Sequence, residues 1–393
     1  MSTQPVPAQG ITKLWRPGPV RAVAGFGVGA VLLFAIAPLM LSQFRLDLLA
    51  KYLCFGIVAV GIGLAWGRGG MLTLGQGVFF GLGAYPMAMF LKLAQTKPGE
   101  LPDFMKLYGE TTELPAYWRP FASAYVAVPA TVVLPMVVAF LIGSLVFRRR
   151  VRGPYFAILS QALAAALAIL IVGQQGTTGG TNGLTDITSF FGYDLNDPVN
   201  RRTVYFLVAA CLLGCLALTR QLMHSRFGEL LVAVRDGQER VRFLGYDPAL
   251  VQTVAYTVAA GMAGLAGALF VCVVGAINPG SIDIVPSIAF VIGVAVGGRS
   301  TLLGPALGAV AVAWSGSAIS ESFPDRWNYV QGGLFILVVA FLPGGIASVP
   351  GVLRASLSGR RGTGRGPSTG PGAGARPATP SERGEPSTVE VPA

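Results

Sequence analysis

Charged residues are scarce in this sequence. Only 12% of its 393 residues are Asp, Glu, Lys or Arg, whereas 53% are hydrophobic, and the mean hydropathy is +0.62. Soluble globular domains carry about 25% charged residues, so this composition excludes that class. The chain must instead bury much of its surface in a lipid bilayer.

Cysteine and histidine are scarcer still, at four residues and one. The cysteines, Cys54, Cys211, Cys215 and Cys272, all fall in apolar segments, which argues against a disulfide framework. Cys211 and Cys215 are one helical turn apart, but no His or carboxylate joins them, so packing is favoured over metal binding. His224 is expected at the surface. Without clustered His, Cys and carboxylates, a membrane enzyme is disfavoured, and we expect no catalytic residue, metal or cofactor in this chain.

Long apolar runs make up most of the chain. A helix needs roughly 20 mostly apolar residues to cross about 30 Å of hydrocarbon, and the sequence contains about ten such runs. They lie near Ala22–Ser42, Leu46–Trp66, Leu72–Leu93, Ala122–Phe147, Tyr155–Val172, Thr203–Thr219, Leu250–Ile277, Ile284–Gly297, Leu303–Ile319 and Tyr329–Val349. The eighth run is short and is predicted to be a broken or half-depth element. The predicted fold class is all-α, a polytopic membrane bundle of about ten transmembrane helices.

Basic residues orient this bundle. With both termini in the cytoplasm, the cytoplasmic segments carry 20 Lys and Arg residues and the outside segments carry seven, in keeping with the positive-inside rule. The same excess explains the net charge of +11, because it faces anionic lipid headgroups. No nucleic-acid partner is needed to account for it.

Three regions are predicted along the chain. Residues 1–21 are too polar and Pro-rich for a signal peptide, so we expect a cytoplasmic amino-terminal segment followed by an uncleaved signal-anchor span. Residues 22–350 form the transmembrane domain. Residues 351–393 consist mainly of Gly, Pro, Ser, Thr and Arg, cannot bury a core, and are predicted to be a disordered cytoplasmic tail.

Glycine interrupts two of the apolar regions. Residues 67–85, GRGGMLTLGQGVFFGLGAY, include polar Thr73 and Gln76 among seven glycines. Backbone that is irregular at membrane depth is tolerated only where it is buried in protein or lines a cavity. Residues 293–309, GVAVGGRSTLLGPALGA, have a similar arrangement of an arginine between glycines followed by Leu-rich sequence. This similarity indicates an internal repeat of the kind common in transporters.

The densest charge lies in residues 220–248, RQLMHSRFGELLVAVRDGQERVRFLGYDP, where nine of 29 positions are charged. Leu231, Val234, Val241 and Leu244 recur at helical spacing among these charges, which predicts a short helix outside the bilayer. An amphipathic helix on lipid headgroups is one interpretation. The mixed sign of the charges favours the other, which is docking into a groove of another protein.

Several local signals define this helix. The pairs Arg235–Glu239 and Asp236–Arg240 have the i,i+4 spacing of stabilising ion pairs. Gly245 is predicted to end the helix, and Asp247 followed by Pro248 is predicted to begin the next span as an N-cap.

The chain has no visible energy source of its own. It contains no Gly-x-x-x-x-Gly-Lys-Ser/Thr phosphate loop. The carboxylates and histidines that proton-coupled carriers use are nearly absent from the depth of the spans. A docking helix on such a bundle favours energy supplied by a separate protein. The alternative is a stand-alone channel or facilitator.

Five motifs resemble the permease subunits of ATP-binding-cassette importers for branched-chain amino acids, over about Leu48 to Val349. They are GMLTLGQGVFFGLGAY, RVRGPYFAILSQAL, GGTNGLTD, SRFGELLVAVRDGQERVRFLGYDP and VAVGGRSTLLGPALGA. Within the family, Gln161 and the motifs GGTNGLTD, VRFLGY, INPGSID and VAVGGRSTLLG are most similar to the urea-type permease subunit. Thr181 and the missing acidic residue after Ile288 depart from that pattern.

The resemblance implies a multi-pass subunit of a heteromeric importer in the bacterial cytoplasmic membrane. A sister permease would supply the other half of the pathway, and an extracytoplasmic solute-binding protein would deliver the solute. Two cytoplasmic ATPases would use ATP and Mg²⁺ and drive alternating access. The resemblance implies a coupling helix around Arg235–Gly245, and the residues expected to couple to the ATPases are Arg235, Asp236, Glu239, Arg240 and Gly245.

The preferred cargo at this stage is urea or a similar small amide, and branched-chain amino acids are the alternative. A neutral polar solute needs hydrogen-bond partners without buried charge along its path. The residues expected to line that path are Thr73, Gln76, Ser160, Gln161 and Asn182, with the two glutamines as the strongest candidates. Each amide could equally join helices together. An amino-acid zwitterion would instead place its carboxylate at half-helix amino termini, which the glycine breaks could also supply.

Overall fold

The computed structural model describes residues 19–97, 100–107, 113–151 and 153–322, together with residues 329, 330, 332, 333 and 336. The predicted tail 351–393 lies outside these residues, as do most of the predicted amino-terminal segment and most of the tenth predicted span, Tyr329–Val349.

The described residues form α-helices joined by short turns. They are α1 (Pro19–Val31), α2 (Ala37–Met40), α3 (Gln43–Ile62), α4 (Gln76–Gln95), α5 (Asp103–Leu107), α6 (Ala124–Arg148), α7 (Pro154–Gly173), α8 (Gln175–Thr178), α9 (Pro198–His224), α10 (Arg226–Phe243), α11 (Pro248–Val274), α12 (Ile284–Gly297) and α13 (Gly304–Ser322). A two-residue hairpin, β1 (Ser189–Phe190) with β2 (Tyr193–Asp194), lies between α8 and α9.

The all-α membrane bundle predicted from the sequence is confirmed. Nine of the predicted spans coincide with described helices, and seven helical segments are long and apolar enough to cross a membrane. An eighth, Ala24–Met40, is apolar but shorter. Between α1 and α2 the helix passes through a π-helical turn, Leu32–Ile36.

The core of the bundle surrounds α11, which packs on α6, α4 and α3. A Cβ on Gly83 of α4 would overlap the backbone of Gly264 in α11, and a Cβ on Gly264 would overlap Pro135 and the carbonyl oxygen of Thr131 in α6. Lipid offers no hydrophobic drive for helices to associate, so such close backbone approach supplies the van der Waals contact that holds them.

The first glycine-rich stretch interrupts the helix, as expected. α3 ends in a π-helical turn, Gly63–Arg68, and regular helix resumes only at Gln76. The amide of Leu74 reaches Ser160, within the first two turns of α7. Helix α7 begins near the end of the bundle where α10 lies, which we call the α10 end. Ser160 lies about two turns inward from that end, so α4 starts inside the bundle rather than at its edge.

A second break precedes α12. Helix α11 ends at Gly275, with φ of 73°, and Ile277 then forms an antiparallel bridge with Leu184 at the opposite end of the bundle. The chain passes back inward through the 3₁₀ turn Pro279–Ser281 before α12 begins. With 14 residues, α12 is about 21 Å long, shorter than a bilayer core. Together with the preceding 3₁₀ turn, however, α12 forms the segment Pro279–Gly297, which is long and apolar enough to cross a membrane, so the expected broken or half-depth element stays a prediction.

The second glycine-rich stretch has a different role. It contains the turn between α12 and α13, and a Cβ on Gly297 would overlap the carbonyl oxygen of Gly304. The glycines here allow the two helices to pack tightly, whereas the first stretch breaks a helix. The two stretches do meet, because a Cβ on Gly67 would overlap the carbonyl oxygen of Arg299.

Candidate translocation pathway and coupling surface

The start of α4 carries a buried polar group without a partner. Gln76 is 1% exposed, and neither Nε2 nor Oε1 of its amide forms a hydrogen bond within the described part of the chain. A buried polar group left in this state costs about 1–3 kcal/mol. Such an exception needs a cause. The expected role of Gln76 as a pathway-lining residue stays a prediction.

Thr73 lies in the same break and is fully buried, with 0% exposure. Ser160 lies beside it and holds the break in place. The Ser160 hydroxyl accepts from the amide of Leu74 at 3.0 Å and donates to the carbonyl of Ala157 at 2.8 Å. A Cβ on Gly75 would overlap the Ser160 backbone, so only glycine permits this approach. Ser160 thus serves the backbone of the break in this structure.

Ser287, in the first turn of α12 after the second break, binds the start of α4 in a similar way. Its hydroxyl is buried and accepts from the amide of Gly77 at 3.1 Å. A Cβ on Gly77 would overlap both Ser287 and the carbonyl oxygen of Ile282. The start of α4 and the start of α12 therefore touch inside the bundle. The sequence reasoning did not single out Ser287, although a serine in the first turn of a short apolar helix was an available signal.

The two remaining predicted pathway residues lie in different places. Gln161 follows Ser160 on α7 and is half-buried. Asn182 is exposed at the opposite end, in a turn where the amide of Gly183 donates to the carbonyl of Gly179 at 3.1 Å. The structure thus brings Thr73, Gln76 and Ser160 together with Gln161 next to them, and it leaves Asn182 apart.

Arg235 joins α10 to the first break. Its Nη1 donates to the carbonyl of Gly67 at 3.0 Å, and its Nε donates to Asp236 Oδ1 at 2.8 Å. The aliphatic stem of Arg235 also lies against Gly70. Arg235 is nevertheless exposed, so its expected role in coupling to the ATPases stays a prediction beside this contact with the bundle.

The i,i+4 ion pairs expected on α10 are replaced by other pairs. Arg235 pairs with Asp236, and Arg242 Nη1 lies 3.0 Å from Glu239 Oε1. The cause is Gly237, whose φ of −172° and ψ of 86° interrupt the helix. Residues on either side of it lose the helical register on which i,i+4 pairing depends.

The two predicted helix ends next to α10 are confirmed. Gly245 has φ of 85°, in the left-handed region that favours glycine, and its amide donates to the carbonyl of Arg242 at 2.9 Å. Asp247 caps α11 by accepting from the amide of Ala249 at 2.9 Å, with Pro248 as the first helical residue.

The outer surface of α10 combines charges with apolar side chains. Asp236, Glu239 and Arg240 are exposed. At the end of the helix, Phe243 is 91% exposed, Leu244 75% and Tyr246 51%. We call these three the apolar tip of α10. The sequence reasoning weighed only the charges, although FLGY among charged residues was the available signal.

The described residues contain no group of three or more His, Cys, Asp or Glu side chains that could hold a metal. Cys54, Cys211, Cys215 and Cys272 are free thiols.

Comparison with known proteins identifies the family of this chain. The model of the family described as "Branched-chain amino acid transport system / permease component" matches residues 44–339. The chain belongs to this permease family. Two relatives are the high-affinity branched-chain amino acid transport system permease proteins LivM of Salmonella typhimurium and Escherichia coli. Each is 27% identical over 345 residues, covering 81% of this chain and 73% of the relative. No solved structure matches.

The family match spans both breaks and α10, so the elements described above are those of a transport permease rather than an enzyme. The chain is an integral protein of the cytoplasmic membrane, in keeping with its seven candidate spans among the described residues. The family expected from the sequence motifs is confirmed. The urea branch of the prediction gains no support, because both relatives are named for branched-chain amino acids.

Proposed function

We propose that this chain supplies half of the translocation pathway of an ATP-driven importer for branched-chain amino acids. The observation that carries this proposal is the similarity over 345 residues to two permeases named for that cargo. The cargo preferred from the sequence motifs, urea, therefore becomes the rival to be tested.

The two breaks have features suited to an amino acid. The amino termini of α4 and α12 approach one another inside the bundle, and each carries a partial positive charge of about half a unit. Half-helix amino termini at membrane depth are suited to a substrate carboxylate. The unpaired Gln76 amide offers an acceptor and donors for the remaining polar groups of the amino acid. Its aliphatic side chain would be buried favourably between apolar helices.

The pathway would be completed by a sister permease. Gln161 is a half-buried amide on a membrane-spanning helix of which much faces outward. A polar side chain is costly in hydrocarbon and usually faces a bundle interior or a water-filled path. Gln161, beside the first break, would thus mark the wall that this subunit contributes.

Energy would come from two ATPase subunits, which would hold ATP and Mg²⁺, and solute from an extracytoplasmic binding protein. The apolar tip of α10 would enter a groove of one ATPase, with Asp236, Glu239 and Arg240 on its rim. Arg235 would transmit the movement, because its hydrogen bond to the Gly67 carbonyl connects α10 with the backbone that leads to Gln76. Closure of the ATPases would thereby shift the break and expose the pathway to each side in turn.

The cargo is tested with the complete importer reconstituted in proteoliposomes. We expect ATP-dependent uptake of labelled leucine that excess isoleucine or valine suppresses and excess urea does not. Uptake of labelled urea that leucine fails to suppress would overturn the proposed cargo while leaving the family intact.

A further inference from the structure

A groove lies on the surface of the bundle between α3, α12 and α13, in the half opposite α10. Its volume is about 580 Å³. Its polar lining comes from Lys51, Tyr52, Ser317 and Ser320. The first turn of α12 lines this groove with Val285 and Pro286, whereas Ser287 of the same turn binds the start of α4, so the groove and the second break lie on different faces of α12.

Lys51 is the informative residue of this groove, because ionisable side chains within membrane spans are rare and usually functional. The preceding turn of α3 carries Asp47, whose Oδ2 lies 2.8 Å from Arg201 Nη1 and whose Oδ1 accepts from Gln43 at 3.2 Å. Asp47 is therefore already engaged. Within the part of the chain that the structure describes, Lys51 has no hydrogen bond or ion pair of its own.

The position of the Asp47–Arg201 pair indicates how deep in the membrane Lys51 lies. Both charges are partly exposed, so they belong at the polar boundary of the membrane. Lys51 lies one turn further along α3, about 6 Å deeper. An extended lysine side chain spans that distance. A Lys51 side chain extended toward Asp47 would bring its ammonium to this boundary.

Polarity changes along the groove in the direction of the membrane normal. Around Lys51, the hydroxyl of Tyr52 donates to Ser317 Oγ at 2.6 Å, and Ser320 lies one turn closer to the surface. One turn deeper, the lining is Phe55 on α3 and Ala313 on α13. On the surface side of Lys51, Phe44 and Leu48 also line the groove, so the cation and the hydroxyls form a polar band with apolar lining on both sides. The deeper side suits the acyl chain of a phospholipid whose phosphate lies at this band.

We infer that this groove binds an anionic phospholipid of the leaflet opposite α10. The phosphate accepts from the Lys51 ammonium beside the hydroxyls of Ser317 and Ser320, and an acyl chain lies along Phe55, Ala289 and Ala313. A lipid supplies both the missing negative charge and an apolar chain in the required order. The competing occupant is a membrane helix of the sister permease carrying a carboxylate.

The test is native mass spectrometry of the purified importer after exchange into detergent containing phosphatidylglycerol or phosphatidylethanolamine. We expect phosphatidylglycerol to be retained preferentially and Lys51→Gln to lower its retention about fivefold, as expected for one cation at an anionic surface. Lys92→Gln is the matched control, because the Lys92 ammonium already donates to the carbonyl of Thr185 at 2.9 Å. The Lys92→Gln importer should retain as much phosphatidylglycerol as the wild type.

A second variant tests the apolar end while keeping the charge. Ala289→Phe fills the groove beside Phe55 and should also lower retention, whereas Lys51→Arg should preserve it. Gel filtration verifies that each variant is folded. Retention unchanged in both Lys51→Gln and Ala289→Phe would overturn the inference. It would likewise be overturned if a photo-crosslinker at position 289 captured another protein chain instead of lipid. These readouts are independent of the cargo, so they do not depend on the proposed function.

Discussion

At the first turn of α4, the Gln76 amide is buried with neither its donor nor its acceptor satisfied by the described residues. Membrane interiors make such a group expensive, because no bulk water can compensate it. A residue that only packed helices together would find a partner on the neighbouring helix. Thr73, Tyr85 and Thr257 also carry buried hydroxyls without a partner among the described residues, but only Gln76 leaves both a donor and an acceptor of one amide unpaired, and we propose that its partner is transient.

Gln76→Leu tests this interpretation. Removing the unpaired amide should raise the free energy of unfolding by about 1–3 kcal/mol and lower leucine uptake at least about tenfold, since a comparable hydrogen-bond energy is lost to the solute. Thermal unfolding and proteoliposome uptake measure the two effects. Thr253→Val is the control, because the buried Thr253 hydroxyl already donates to the carbonyl of Ala249 at 2.8 Å. It should bring no gain in stability. Wild-type uptake by Gln76→Leu would contradict a pathway role.

Phe243 is the residue on which docking should depend most. It is the most exposed member of the apolar tip, and aromatic anchors that enter a partner's pocket commonly contribute at least about 2 kcal/mol to binding. Phe243→Ala should therefore weaken retention of the ATPase subunits about 30-fold, as measured by co-purification and titration.

Tyr125→Ala is the matched control for this experiment, because Tyr125 is an equally exposed aromatic side chain at the other end of the bundle. Normal ATPase retention by Phe243→Ala, together with loss of retention by Glu239→Ala, would assign docking to the charges instead of the apolar tip.

Among the elements, α10 is the one with two tasks. Gly237 divides it, so that Arg235 and Asp236 belong to one segment and the apolar tip to the other. The first segment is bound to the bundle through Leu231, which is fully buried, and through Arg235. The second packs on the bundle through Val241, which is 3% exposed, and leaves Phe243 at its end exposed. Under the proposed function, such a division would let one end follow an ATPase while the other displaces the break.

Arg235→Ala should separate these tasks. The charged hydrogen bond to the Gly67 carbonyl is worth about 1.5–3 kcal/mol, and its loss should lower uptake about tenfold or more while the ATPases remain bound and hydrolyse ATP. Uptake per ATP hydrolysed is the quantity to measure. Arg240→Ala, which removes an exposed charge beyond Gly237, should change this ratio little. Loss of ATPase binding in Arg235→Ala would instead return Arg235 to the docking surface.

For the whole molecule, the family match over residues 44–339 and the seven candidate spans in the described ranges indicate a subunit that works in an assembly. The two breaks and the short helix α12 would form only one wall of a pathway. A stand-alone facilitator would need a complete pathway within this chain.

Liposomes containing this chain alone should therefore show no leucine flux above protein-free liposomes. Flux should require the sister permease, both ATPases and ATP. Sealed liposomes that contain the complete complex but no ATP serve as the control for leakage. Saturable leucine or urea flux with this chain alone would contradict the importer architecture and favour a facilitator.

Much of this architecture was predictable because it depends on local composition. Apolar length determined nine helical regions, and the φ preference of glycine and the capping ability of aspartate determined the ends at Gly245 and Asp247. The glycine content of residues 67–77 predicted the first break. The predicted i,i+4 pairs on α10 were wrong because the helical period was extended across Gly237, where the backbone leaves the helix.

By itself, the sequence determined a membrane-embedded α-helical bundle with a charged helix outside it, since hydropathy and glycine placement act within a few residues. Only the tertiary structure decided that Gln76 has no hydrogen-bond partner among the described residues, that Ser160 and Ser287 hold the two breaks, and that the exposed Arg235 also binds the Gly67 carbonyl. Each of these depends on residues far apart in the chain meeting where helices stop. Periodicity carries no information on the direction the backbone takes after such a stop.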